Sequence, residues 1–151
     1  MALQSGDKAP DFSLPASAGE AVSLKDFRGQ WVVLYFYPKD NTPGCTKESC
    51  DFRDLQTSIT KKKGVVLGVS KDSVQSHLNF ISKYKLNFML LADVEGKVCE
   101  AYGVFKKKSM FGKSFLGIVR STFLIDPQGK IAKIWQPVTV DGHAQEVLAN
   151  L

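Results

Sequence analysis

The sequence predicts an α/β domain built on a central mixed β-sheet flanked by helices, and three observations predict it. Trp31–Tyr37 and Val65–Val69 are continuous apolar runs rich in β-branched and aromatic residues, the pattern of strands buried on both faces. Segments of helical spacing alternate with these runs. Near the end the pattern changes, and Ser121–Ile125 and Lys130–Trp135 flank the turn Asp126-Pro127-Gln128-Gly129 as the two arms of a hairpin.

Each element has its own signal. Pro38 ends the first strand, because proline cannot donate to a ladder. A loop over Lys39–Gly44 follows, with Thr42 and Pro43 marking a helix entry. Phe52, Leu55 and Ile59 extend that helix to about Lys63, and Gly64 reads as its stop. After the second strand, Asp72 or Ser73 caps a helix running to Tyr84, with His77, Leu78, Ile81 and Tyr84 spaced at three and four. Phe88–Ala92 reads as a third strand and Val98–Tyr102 as a short helix closed by Gly103. The lysine-rich segment Phe105–Gly117 reads as a mobile loop flanking a site entry, and Gly142–Leu151 as a closing helix. The order β-α-β-α-β-α-β-β-α, with parallel crossovers first and an antiparallel hairpin last, is the thioredoxin-like plan. Fold alone does not give function.

Size and composition set the frame. With 151 residues and no repeat or linker, the chain reads as one domain over residues 1–151. A domain of this length buries roughly 70% of its unfolded surface, so it needs no disulfide or metal to fold. The three cysteines, Cys45, Cys50 and Cys99, are an odd number, which suits a reducing compartment better than a disulfide framework. The N-terminus shows neither a signal-peptide nor a transit-peptide pattern, and the longest apolar run is too short to span a bilayer. The expectation is a cytoplasmic protein with no membrane partner. The net charge of +5 comes from scattered lysines with no recognition motif, so no nucleic-acid partner is expected either. His77 and His143 stand at no ligand spacing from the cysteines, and no metal is expected.

The chemistry lies in Tyr35-Phe-Tyr-Pro-Lys-Asp-Asn-Thr-Pro-Gly-Cys-Thr-Lys-Glu-Ser-Cys50. Cys45 falls where a loop enters a helix N-terminus, where free backbone N–H groups and the helix dipole favour negative charge. A thiol placed there ionises more readily and is the more reactive for it.

This segment resembles the active-site loop of peroxiredoxins, Pro-x-x-x-Thr/Ser-x-x-Cys, met by Pro38, Thr42 and Cys45. With Cys50 five residues on, it is similar to the peroxiredoxin Q, or bacterioferritin comigratory protein, group. The likeness spans nearly the whole chain, from Gly6–Leu14 to Arg120–Asp126. It implies that Cys45 is the peroxidatic cysteine and Cys50 the resolving one. Thr42 would aim its hydroxyl at thiolate and peroxide, and Pro38 would shield the pocket. Arg120 would stabilise the thiolate and the charge developing on oxygen, with Pro43 and Gly44 joining Thr42 and Arg120 around the substrate. These roles are physically reasonable: a thiolate needs a neighbouring cation, donors aimed at oxygen favour O–O cleavage, and arginine keeps its charge. Glu48, one turn after Cys45, is a candidate to orient Arg120 or help position the loop, the alternative being a solvated helix charge. Trp135–Pro137 are candidates for one side of the pocket, and Cys99 reads as a packing residue. The substrates implied are hydrogen peroxide and organic hydroperoxides. No bound cofactor is implied, only an external dithiol reductant, thioredoxin or a glutaredoxin, and the protein would be a monomer.

The cysteine spacing adds a constraint. In a continuous α-helix, residues five apart lie about 140° round the axis, with Cα atoms roughly 8.6 Å apart. A disulfide tolerates at most about 7 Å. A helix from about Pro43 through Cys50 must therefore unwind for the implied bond to form. Two other readings compete. A general disulfide oxidoreductase would carry Cys-x-x-Cys, which Cys45-Thr-Lys-Glu-Ser-Cys50 does not match. A redox sensor would use the same thiols without turning over.

Overall fold

The structure, a computed structural model, describes residues 2–151. The chain opens with two short antiparallel strands, β1 (Ser13–Pro15) and β2 (Ala21–Ser23), and a 3-10 turn over Leu24–Phe27. Then come β3 (Trp31–Phe36), α1 (Pro43–Lys61), β4 (Gly64–Ser70), α2 (Val74–Tyr84), β5 (Met89–Ala92) and α3 (Lys97–Ala101). The remaining elements are β6 (Phe105–Met110), β7 (Lys113–Ile118), β8 (Ser121–Ile125), β9 (Ile131–Trp135) and α4 (His143–Ala149).

The main sheet has the order β5-β4-β3-β8-β9. β3, β4 and β5 are parallel; β8 runs antiparallel to β3, and β9 antiparallel to β8. The continuous apolar run of β3 places it at the centre, buried on both faces. Its period of two divides the core: Leu34 and Phe36 face one cluster, Val33 and Tyr35 the other. On the Tyr35 side the sheet is covered by Phe52 and Ile59 of α1, Phe80 of α2 and Val147 of α4. On the Leu34 side lie Cys99 and Tyr102 with the N-terminal segment through Phe12, Leu14 and Ala16. The alternating strand β9 is an edge, as its pattern predicts. The thioredoxin-like expectation therefore holds in its layers and in its strand directions.

Two expectations need correction, and one hairpin has no counterpart among them. Gly64 does not stop α1: the helix ends at Lys61, the left-handed residue is Lys63 (φ 60°), and Gly64 opens β4. Glycine is required there for a different reason, since a Cβ would lie 2.8 Å from Ile59 Cγ2 and 3.1 Å from the Ile59 carbonyl. The segment Phe105–Gly117 is not a loop. It forms the paired strands β6 and β7, joined at Phe111-Gly112. Its lysines and glycines hide a strand pattern because few of its side chains are buried. The β1–β2 hairpin has no legible signal in the sequence, as strands of three residues carry too little periodicity to read.

Candidate active site

α1 starts where the sequence places it. Pro43 takes the first helical position, where its missing N–H costs nothing. Thr42 occupies the cap position in an extended conformation, but its side chain makes no capping bond. Its Oγ1 donates instead to the Lys39 carbonyl at 2.9 Å, which folds the loop back on itself and leaves the hydroxyl oxygen free to accept. Cys45 follows in the first turn, closed by Thr46 N–H donating to the Thr42 carbonyl at 2.8 Å. Cys45 is buried, while Cys50 in the same helix is half-buried, and all three cysteines are free thiols. Both residues of the pair are helical, so helix geometry keeps them beyond disulfide reach.

Arg120 arrives from the far end of the chain through strand register. Ser121 pairs with Phe36, so Arg120 stands beside the exit of β3, next to the loop that leads to Cys45. Its Nη2 donates to Cys45 Sγ at 3.3 Å and its Nη1 to Glu48 Oε1 at 2.8 Å. The approach is close enough to constrain Gly44, where a Cβ would stand 3.0 Å from Nη2. Burial pulls the guanidinium pKa down, but Glu48 and Cys45 outweigh it and hold Arg120 above its ordinary value. Glu48 is 1% exposed, and burial pushes its carboxyl up to about 7 against the opposing pull of Arg120. Its second oxygen, Oε2, is buried without a protein partner.

The structure thus brings Cys45, Gly44, Glu48 and Arg120 into one group. Thr42 is half-buried at its edge, Pro38 lies exposed on the loop and Pro43 exposed at the start of α1. The Arg120 carbonyl accepts from Val138 N–H at 3.0 Å, and Gln136 Nε2 donates to Ser121 Oγ at 3.0 Å. Residues 136–138 therefore brace the arginine's strand from behind. Trp135 turns away toward His143, with ring centroids 5.4 Å apart, and its indole N–H donates to Glu146. Cys99 is fully buried, and burial, then Asp93, pushes its thiol well above the ordinary range, so it stays protonated.

Two supports of the site have no local signature in the sequence. Between the two cysteines, Ser49 Oγ and the buried Tyr35 hydroxyl are hydrogen-bonded at 2.8 Å. Beneath the loop, the Asp40 carboxylate accepts from Tyr37 Oη at 2.6 Å and Ser76 Oγ at 2.8 Å, and lies 2.7 Å from His77 Nδ1. His77 Nε2 lies 2.8 Å from the Leu91 carbonyl, which can only accept. Asp40 N–H donates to Asp72 Oδ2 at 2.8 Å. Asp40, Asp72 and His77 offer ligand atoms within 4.8 Å of one another, but the bonds just described already engage them. The cluster is a hydrogen-bonded anchor beneath the loop. The bonds that join Asp40 to Asp72, Ser76 and His77 cross 32 to 37 positions, which no local pattern reveals.

Comparison with known proteins agrees with this geometry. The model of the AhpC/TSA family matches residues 5–134. "Putative peroxiredoxin bcp" of Coxiella burnetii is 54% identical over 151 residues, covering all of both chains. "Peroxiredoxin Bcp" of Bacillus subtilis is 50% identical, covering 100% of this chain and 96% of its own. A mutant of Xylella fastidiosa PrxQ superposes with a TM-score of 0.94 at 41% identity, covering 99% of this chain and 96% of its own. Xanthomonas campestris bacterioferritin comigratory protein, described for alkyl peroxide reduction from trapped intermediate and ligand complexes, gives a TM-score of 0.91 at 44% identity, covering 97% and 96%. The chain belongs to the AhpC/TSA family, within its Bcp, or peroxiredoxin Q, group of peroxiredoxins.

Proposed function

We propose that this chain, acting as one domain over residues 1–151, is a thiol peroxidase that reduces hydrogen peroxide and organic hydroperoxides through Cys45 and Cys50. The observation that carries the reading is the contact of Arg120 Nη2 with Cys45 Sγ at 3.3 Å in the first turn of α1. A permanent cation and a helix N-terminus meet on one buried sulfur. Burial lowers the local dielectric and strengthens their hold on a thiolate.

The cycle follows from these parts. The Cys45 thiolate attacks one peroxide oxygen, an S–O bond forms, and the O–O bond breaks. The leaving oxygen departs with the electron pair and takes a proton to become water or alcohol. Arg120 stabilises the charge on that oxygen, and the free lone pair of Thr42 Oγ1 receives the peroxide O–H. Cys45 is left as a sulfenic acid. The first turns of α1 then unwind, Cys50 condenses with Cys45, and water leaves as the disulfide closes. A dithiol, thioredoxin or a glutaredoxin, reduces that bond and is itself oxidised. No bound cofactor enters the cycle. The protein acts as a monomer in the cytoplasm, where such reductants are maintained.

The test is stopped-flow oxidation by hydrogen peroxide and by an organic hydroperoxide, followed by steady-state turnover with thioredoxin, its reductase and NADPH. Wild type turns over with ping-pong kinetics. Cys45→Ser is inactive. Cys50→Ser is oxidised once at the normal rate, then stalls with thioredoxin as sulfenic acid. Full thioredoxin-dependent turnover of Cys50→Ser would remove the resolving role from that residue.

A further inference from the structure

Among the described residues, strands β6 and β7 stand outside the main sheet and form a two-stranded sheet of their own. Between Val104 and Val119 the chain holds four lysines and no acidic residue. Lys108 Nζ donates to the Ile118 carbonyl at 3.0 Å and Lys106 Nζ to Gln136 Oε1 at 3.3 Å, both neutral acceptors. Among the described residues, none of the four lysines pairs with a carboxylate. Their charge is therefore uncompensated.

The turn, and Leu116 opposite Lys107 in the middle of the hairpin, add an apolar part. Phe111 is 95% exposed and Leu116 65%. Phe111 and Gly112 form a two-residue turn with φ of 52° and 77°. A turn with both central residues left-handed favours Asn-Gly, and a bulky aromatic at its first position is strained. Neither turn geometry nor core packing asks for Phe111 here. A projecting hairpin with a bare aromatic tip and a basic body fits a charged interface that accepts side chains without a matching shape. A protein partner would need a broad complementary patch, which a lone hairpin does not provide.

We propose that β6–β7 docks this protein peripherally onto anionic lipid bilayers. Phe111 and Leu116 enter the headgroup layer, and the lysines lie against the lipid phosphates. The contact is peripheral: among the described residues, no helix is long and apolar enough to cross a membrane. The proposal rests on the peroxidase reading only for its meaning, since Arg120 follows β7 by two residues and docking would station the peroxidase at a lipid surface.

The test is co-sedimentation of the full chain with phosphatidylglycerol–phosphatidylcholine vesicles and with phosphatidylcholine alone, at low and high salt. The expected result is binding to the anionic vesicles alone, released by salt. Lys107→Gln with Lys113→Gln should weaken partition by more than about tenfold. Phe111→Ser with Leu116→Ser should also release the protein. Hydrogen peroxide turnover in solution should be unchanged in both double variants, which shows that they are folded. Indifference to anionic vesicles, or undiminished binding by both variants, would overturn the proposal. Capture of an acidic protein by the hairpin with vesicles ignored would overturn it in favour of that partner. Vesicle binding without peroxide turnover would sink the peroxidase reading alone.

Discussion

The buried carboxyl of Glu48 and the guanidinium of Arg120 meet at 2.8 Å, although the same arginine also serves the Cys45 sulfur at 3.3 Å. Carboxylate and thiolate thus compete for one cation, and proton occupancy at Glu48 decides how much of it Cys45 receives.

That competition gives a pH prediction. The Glu48 carboxyl titrates near 7 in the folded chain, raised by burial, against an ordinary value of 4.5. Between these values the folded state holds more protons than the unfolded one, so this group's contribution to stability falls as pH rises from about 4.5 to 7 and then levels off. Glu48→Gln should remove this falling contribution, worth on the order of 3 kcal/mol. Denaturant melts at a series of pH values would show it. The same variant should shift the pH dependence of the Cys45 oxidation rate.

His143 has the opposite sign. Burial lowers it to about 4 from 6.5, with a smaller lowering by Arg120 opposed by Glu146, and its Nε2 lies 2.8 Å from Thr122 Oγ1. The unfolded chain then binds the extra proton first, and this group's contribution is lost as pH falls from about 6.5 to 4. His143→Gln should remove this acid sensitivity. In wild type the two slopes partly cancel between 4.5 and 6.5, so each single variant should be more pH-dependent there than the parent. Thermal melts at pH 5 and 7 would separate them.

Gly44→Ala should divide stability from activity. Alanine is the better helix former by roughly 0.5–1 kcal/mol, so the melting temperature should hold or rise. Its Cβ, 3.0 Å from Arg120 Nη2, would push the guanidinium off the sulfur. The peroxide rate constant should fall by roughly tenfold, the loss of part of one charged hydrogen bond. Stopped-flow oxidation would measure it.

Ser49→Ala should loosen the cysteine helix. It removes the Tyr35–Ser49 bond at 2.8 Å, which ties the cysteine helix to β3. A net loss of about 1 kcal/mol shifts the unwinding equilibrium roughly fivefold. Disulfide closure should accelerate and sulfinic acid should decline at high peroxide, both readable by mass spectrometry. Slower closure would show that this bond does not restrain unwinding.

The sequence resolved what is local and periodic. Trp31–Tyr37 reads as a central strand from its continuous apolar run, and five of the six side chains of β3 are buried; Ser73 caps α2 by accepting from Ser76 N–H. Glu48 is legible as a partner for Arg120 only because the family pattern names the arginine; nothing in helical spacing predicts a contact across 72 positions. The hairpin at Phe105–Ile118 escaped because strand periodicity shows only where one face is buried, and β7 is exposed over four residues running from Lys113 to Leu116. The Asp40 anchor escaped for another reason. A carboxylate in a loop and a histidine on an apolar helix face each look ordinary, and only the tertiary crossing joins them.

That anchor has a consequence for how the enzyme cycles. The stretch before Thr42 is moored from below by Asp40, whereas the stretch from Cys45 to Cys50 is held by side chains that can let go one at a time. Each turnover therefore rebuilds a single flank. The doorway that admits the oxidant keeps its frame, while the wall behind it is taken down and put back.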